Sequence, residues 1–372
     1  MLFVFSELFQ LIYQYFKRNS RIVGLAGMMV LGYLSGAVSL FHNSDYQTYE
    51  QIYENPMTQG NYFEHGYNIV SQYFYYHNWT YANFRMFICC VSFVILFLGV
   101  SRFTKNVALF SATYGVTIFF IDATQIRNLM MIALVTLGLS FLKKFNFKNL
   151  LIAGFLVWLS TEFQSLGYIY FLTLILVVIF ETIFKSTQRT YIEFFFPLSL
   201  LAILIFFIAG ISKLNSLLVK LAGVIGGRGN LIEKISGQYT YGVGGQKLFL
   251  IMLATFLGLL VIYQIFVLCV KSSSLEEFNK IRILYLAVVT SVMCLPLLFM
   301  AIDYSRLQRT SFIFMMIGVA IFSENSHRNS RADRITTWIL VLVAVLIYGI
   351  VHNYTWGGLY TQTIPYLIQF VK

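Results

Sequence analysis

Charge is the scarcest resource in this chain. Only 11% of its 372 residues are Asp, Glu, Lys or Arg, against roughly 25% in a soluble domain, while 58% are hydrophobic and mean hydropathy is +0.74. That balance excludes a water-soluble globular protein and points to an integral membrane protein. Cysteine is equally sparse. Cys89, Cys90, Cys269 and Cys294 all fall inside apolar runs, and none has zinc-ligand spacing, so they read as small core- or lipid-facing side chains. HExxH, DxD and the phosphate-loop pattern are all missing. Their absence speaks against a zinc hydrolase and against a cytosolic nucleotide-sugar donor held through a cation; neither metal nor cofactor is expected. No aromatic-basic RNA motif accompanies the net charge of +11, so nucleic acid is not an expected partner.

What is present is apolar sequence in long runs. A hydrocarbon core about 30 Å thick requires about 20 apolar residues of helix. Eleven stretches qualify as candidates: 21–41, 84–101, 107–122, 126–142, 150–161, 166–184, 194–212, 247–270, 281–302, 310–323 and 336–352. The fifth is short, so the range is 10–12. The expected fold is an all-α polytopic membrane protein with about eleven transmembrane helices in one domain, 1–372. Residues 1–16 are apolar but lack a basic leader and a small-residue cleavage site. Residues 1–20 are therefore read as an interfacial helix closed by Lys17 and Arg18.

Lys and Arg set the orientation. With the N-terminus in the cytoplasm, sixteen of the twenty-six basic residues fall in short inner connectors, as the positive-inside rule requires. The long loops 42–83 and 213–246 then lie outside, with the tail 353–372 and the polar corners 122–127, 161–165 and 303–309. Polar groups at membrane-embedded helix ends are costly and usually serve a site. The chemistry is therefore expected on the outer face.

Ten basic residues oppose the topology rule, among them Arg85, Arg127, Arg228, Arg306 and Arg309. A guanidinium grips phosphate oxygens through a bidentate fork that lysine cannot match. Converging from different helices, these arginines would suit a diphosphate. The plainer alternative is that each snorkels to the headgroups or pairs with a nearby acid, Asp122 with Arg127 or Asp303 with Arg306.

The outer segment 41–85 is rich in tyrosine and holds Asp45, Glu50, Glu54, Glu64, His42, His65 and His77. At helical spacing Asp45, Tyr49 and Tyr53 share one face, and Glu50 and Glu54 share a solvated one. Asp45 and Glu64 adjoin apolar sequence and are the better candidates for a base that activates a sugar hydroxyl; His65 and His42 are alternatives. The glycine-rich patches around Arg228 read as a cover or an ordinary loop.

Three segments carry a family resemblance: SDYQTYEQIYENP followed by EHGYNIVSQYF, the helix IRNLMMIALVTLGLSFLKK, and the terminal YTQTIPYLIQ. With the corner at 161–165 they resemble the EpsG family of bacterial exopolysaccharide polymerases, functionally of the Wzy type. The resemblance implies a GT-C-like polymerase in the bacterial plasma membrane. Its donor and acceptor would be undecaprenyl-pyrophosphate-linked glycans, and chain-length regulator and flippase proteins would be further partners alongside membrane lipids. Asp45 and Tyr49, Glu64 and Tyr67, and Arg127 fall on recurring positions. The family often has a histidine before a serine in the fifth-span corner, where this chain has Glu162, Phe163, Gln164 and Ser165. Glu162 is therefore a third candidate base, and Gln164 joins Tyr49, Tyr53 and Tyr67 as a candidate sugar contact. The expected reaction is metal-independent, inverting polymerisation of repeat units. The rivals are a membrane glycosyltransferase or ligase that makes a single transfer, and a flippase or transporter of lipid-linked glycans. The sequence shows no clear internal repeat and gathers its charge at one face, which disfavours transport.

Overall fold

The computed structural model describes residues 1–16, 19–38, 45–57, 62–182, 245–272, 275–299 and 302–355. Among the described residues, ten helices precede residue 183: α1 Leu2–Phe16, α2 Arg21–Gly36, α3 Tyr46–Tyr53, α4 His65–Tyr76, α5 Tyr81–Phe103, α6 Val107–Thr117, α7 Phe119–Asp122, α8 Ile126–Phe141, α9 Phe147–Thr161 and α10 Tyr170–Thr182. Four follow: α11 Gly245–Ser272, α12 Leu275–Met293, α13 Arg306–Asn325 and α14 Arg331–Thr355. Over its described residues every expected apolar stretch falls largely on helix; 194–212 lies outside the described residues, as do His42, Arg228 and most of the loop 213–246. Two of those stretches are broken, at Ile118 between α6 and α7 and by short 3-10 turns after α12. The segments Tyr81–Phe103, Ser165–Thr182, Gln246–Val270 and Arg331–Val351 have the length and hydropathy of a membrane crossing. The chain is a helical membrane protein.

Two helices are central. α13 is buried at every position from Leu307 to Phe322, and α8 at thirteen of its sixteen residues. Burial around the whole circumference means that each is enclosed by other helices. Around α8 pack α5 and α9; around α13 pack α6, α11 and α12. Close backbone approach sets the α5–α8 contact, because a Cβ on Gly99 would fall 2.8 Å from the Leu137 amide nitrogen. In hydrocarbon, where no hydrophobic force drives helices together, such small-residue contacts supply the van der Waals association.

The basic connectors gather at one end of the bundle. Ser20 Oγ donates to Asn106 Oδ1 (2.9 Å), Asn106 Nδ2 to Ser323 Oγ (2.8 Å), and Arg21 Nη2 to the Ser101 carbonyl (3.0 Å). Glu324 accepts the Asn106 N–H at 3.0 Å, placing a carboxylate at the positive start of α6.

α1 packs lengthwise and antiparallel on α6, with Phe3 against Phe119 and Phe120 at one end and Gln14 accepting from Asn106 at the other. The start of the chain therefore lies away from the basic end, not beside it. Its polarity is inverted relative to a surface helix. Glu7 and Gln10 are buried, Glu7 against Gly115 and Gln10 against Gly27, while Phe5, Phe9, Ile12 and Phe16 face outward.

Candidate functional site

The end opposite the basic connectors holds a cavity of about 230 Å³ lined by Asp45, Thr48, Tyr49, Ile52, Tyr62, Phe63, Gln125, Arg127, Asn128, Gln164 and Arg306. Its floor is the first turn of α8, whose leading N–H groups have no intrahelical acceptor. Gln125 at the N-cap makes no side-chain cap. A helix N-terminus carries partial positive charge and binds anions readily. Arg127 in that same turn and Arg306, the first residue of α13, add two full charges.

α3 and α4 hold Arg127 in place. α3 buries Tyr46, Tyr49, Ile52 and Tyr53 and turns Gln47, Thr48, Gln51 and Glu54 outward, so it lies on the bundle by one apolar stripe. Tyr49 Oη then accepts from Arg127 Nε at 2.8 Å, and Glu64 Oε2 is ion-paired with Arg127 Nη1. The guanidinium lies 4.5 Å from the Phe63 ring centroid, over its face. Glu64 is fixed in turn, since its Oε1 accepts the Ser165 N–H at 3.0 Å. Tyr67 is buried beneath, edge-on to Phe63 and Tyr49, and burial holds its phenol well above the ordinary tyrosine range, so it stays neutral. Arg306 pairs with Asp303 at 2.8 Å, and its Nε is buried with no protein partner.

The structure brings Asp45, Tyr49, Gln164, Arg127 and Arg306 together. Other candidates stand apart. Glu64 acts through Arg127. Glu162 lies 3.6 Å from His65 Nδ1, its carbonyl accepts the Tyr67 N–H (3.0 Å), and it does not line the cavity. α4 reaches that corner only because Gly66 has no Cβ; one would fall 2.6 Å from the Glu162 Cβ. Tyr53 is buried, with its hydroxyl donating to the Trp79 carbonyl (2.9 Å).

Arg85 and Arg309, expected with the anion-binding set, are instead fully buried braces of the corner 122–125. Arg85 donates to the Ser35 carbonyl (3.2 Å), the Tyr81 hydroxyl (3.4 Å) and the Ala123 carbonyl. Arg309 pairs with Asp122 (3.0 Å) and donates to Gln125 Oε1, while Asp122 Oδ2 accepts from Tyr114 (3.0 Å). Because the corner leads directly into Arg127, both arginines position the cavity without facing it. Removing one partner strands a buried charge, so Arg309→Leu should lower stability by about 3–5 kcal/mol. Thermal unfolding in detergent would measure this, and adding Asp122→Leu should recover much of the loss.

Sequence reasoning missed Gln125 and Asn128. Asn128 is 1% exposed, and its Oδ1 has no hydrogen-bond partner although it borders the cavity. A buried, unpaired acceptor beside an open space fits a hydroxyl or amide N–H of a ligand. Its position inside an apolar helix gave no signal beyond adjacency to Arg127. Among the described residues, no three of His, Cys, Asp and Glu group as a metal site.

A model of the EpsG family matches residues 24–368. The chain belongs to the EpsG family. No curated protein and no solved structure matches it. The matched range covers α3, α4, α8 and α13, so this EpsG-family protein has its whole cavity within the family's extent. Membership associates the chain with polysaccharide polymerisation in exopolysaccharide synthesis.

Proposed function

We propose that this EpsG-family protein joins undecaprenyl-pyrophosphate-linked oligosaccharide repeat units on the outer leaflet of the bacterial plasma membrane, by a single inverting displacement in a GT-C-like membrane fold. The observation that carries the reading is that Asp45, Arg127 and Arg306 line one cavity built on the start of α8. At about 230 Å³ it is smaller than the ~300–1,000 Å³ of whole-ligand pockets. It would therefore admit the diphosphate with its nearest sugar, leaving lipid and glycan outside.

Each group then has a role. Arg127 spends Nε on Tyr49 and one Nη1 hydrogen on Glu64, so its other Nη1 hydrogen and both on Nη2 remain to donate; Arg306 gives Nη2 to Asp303 and keeps Nε without a protein partner. With the α8 N–H groups they hold the diphosphate and take up the charge that grows on it as it leaves. Asp45 accepts the proton of the acceptor hydroxyl. The hydroxyl oxygen attacks the anomeric carbon, the bond to the diphosphate oxygen breaks, and its electron pair departs with the diphosphate. Tyr49, Tyr62 and Gln164 supply faces and hydrogen bonds for sugar rings. Because the leaving group's charge is met by guanidinium and backbone donors, the reaction proceeds without metal.

Purified protein incubated with lipid-pyrophosphate oligosaccharide should give a ladder of products, unchanged by chelator. A single addition would indicate the transferase or ligase instead, and no glycosidic product at all would remove the reading.

A further inference from the structure

A second cavity, of about 530 Å³, opens at the basic end, lined by Arg102, Phe141, Lys143, Lys144, Lys148, Asn149, Ile152 and Glu276. Four cations thus surround one cleft. Its single carboxylate, Glu276, is salt-bridged to Lys280 at 2.9 Å. Among the described residues none of the four cations has a carboxylate within salt-bridge distance. Burial, then Lys280 and Arg102, lowers Lys143 from the ordinary lysine range. Glu276 offsets Lys143 and Lys144 only in part, and the cleft keeps a net positive charge.

Two features distinguish it from basic residues scattered by the topology rule. The walls are held by specific bonds. Arg102 Nε donates to Ser140 Oγ (2.8 Å) with its guanidinium 3.8 Å over the Phe141 ring, Lys143 Nζ donates to the Arg102 carbonyl (2.9 Å), and Asn149 Nδ2 donates to the Lys144 carbonyl (2.7 Å). The cleft also runs into an apolar surface. Lys148, Leu151, Ile152 and Phe155 recur at helical spacing along α9, and Leu151 and Phe155 are exposed by 58% and 57%. A phosphate seated among the cations would have a greasy track leading away from it.

From this juxtaposition we infer that the cleft binds the headgroup of an anionic phospholipid, its phosphate among Arg102, Lys144 and Lys148 and its acyl chains along Leu151 and Phe155 of α9. Basic pockets between membrane helices recognise anionic headgroups by this combination of charge and depth. The lipid would bridge the ends of α5, α8 and α9, far from the reactive cavity. The assignment does not depend on the polymerase reading.

The test uses the delipidated full-length protein in neutral detergent, titrated with phosphatidylglycerol and followed by native mass spectrometry of lipid adducts. Lys144→Gln with Lys148→Gln should weaken phosphatidylglycerol binding about thirtyfold, the effect of two membrane-surface cations. Both side chains are exposed and bear no packing role. Arg21→Gln with Lys105→Gln removes equal charge from exposed positions elsewhere at the basic end, outside the cleft, and should leave the tight adduct in place. Equal binding by the wild type and the Lys144/Lys148 variant, or equal loss from the Arg21/Lys105 variant, would overturn the assignment. Displacement of the lipid by excess inorganic phosphate would keep the phosphate site but overturn its lipid occupant; retention supports it. Preference for phosphatidylglycerol over phosphatidylcholine is expected, and no preference counts against the inference.

Discussion

Arg127→Ala should slow glycan elongation by about 10²–10³-fold, the usual effect of deleting one charged donor aimed at a leaving oxyanion. Arg127 is the one side chain joined to both halves of the proposed machinery. It lines the cavity, and it is gripped from behind by Tyr49 and Glu64. The loss should appear in the rate of the chemical step more than in substrate affinity, because the charge it meets grows only as the diphosphate leaves. Arg127→Lys separates charge from geometry. The ammonium keeps the positive charge but cannot hold Tyr49, Glu64 and a phosphate oxygen at once through a planar fork. An intermediate rate is expected. Alanine also leaves Glu64 half-satisfied, with only the Ser165 N–H, so melting must be followed in parallel. A variant that melts like the wild type and elongates at its full rate would take Arg127 out of the mechanism.

Where the sequence could be read and where it could not follows from the same arginines. Arg127 and Arg306 stood out because cations outside oppose the positive-inside rule, and both line the cavity. Arg85 and Arg309 carried the identical signal yet are buried. What separates the two pairs is long-range. Arg309 meets Asp122 across 187 residues and Arg85 meets the Ser35 carbonyl across 50, and no local pattern records such contacts. Local pairing was legible only when it stayed within one helix turn. Asp303 does hold Arg306, three residues on, whereas Asp122 turns to Arg309 and Arg127 takes Glu64, sixty-three residues back. α1 shows another limit. Its alternation of apolar and polar faces is plain in the sequence, but periodicity cannot say which face meets the protein. Beside water the apolar face turns inward; here Glu7 and Gln10 do.

Asp45→Asn should lower the elongation rate by about 10²–10⁴-fold, the range over which a positioned base contributes. Three carboxylates were candidates, and the cavity separates them. Glu64 has both oxygens engaged, one by Arg127 and one by the Ser165 N–H, and does not line the cavity. Glu162 stands by His65 and outside the cavity. Asp45 alone of the three borders the space where an acceptor hydroxyl would lie opposite the diphosphate. Asparagine keeps the size and much of the hydrogen bonding but cannot take a proton, so lipid-diphosphate binding should survive while turnover falls. Glu162→Gln should elongate at close to the wild-type rate. Glu64→Gln should be slowed through its weaker hold on Arg127, and its defect should not add fully to that of Arg127→Ala, since the two act as one unit. Should Asp45→Asn turn over normally while Glu162→Gln is dead, the base lies on the far side of the 161–165 corner, and the cavity binds the acceptor without activating it.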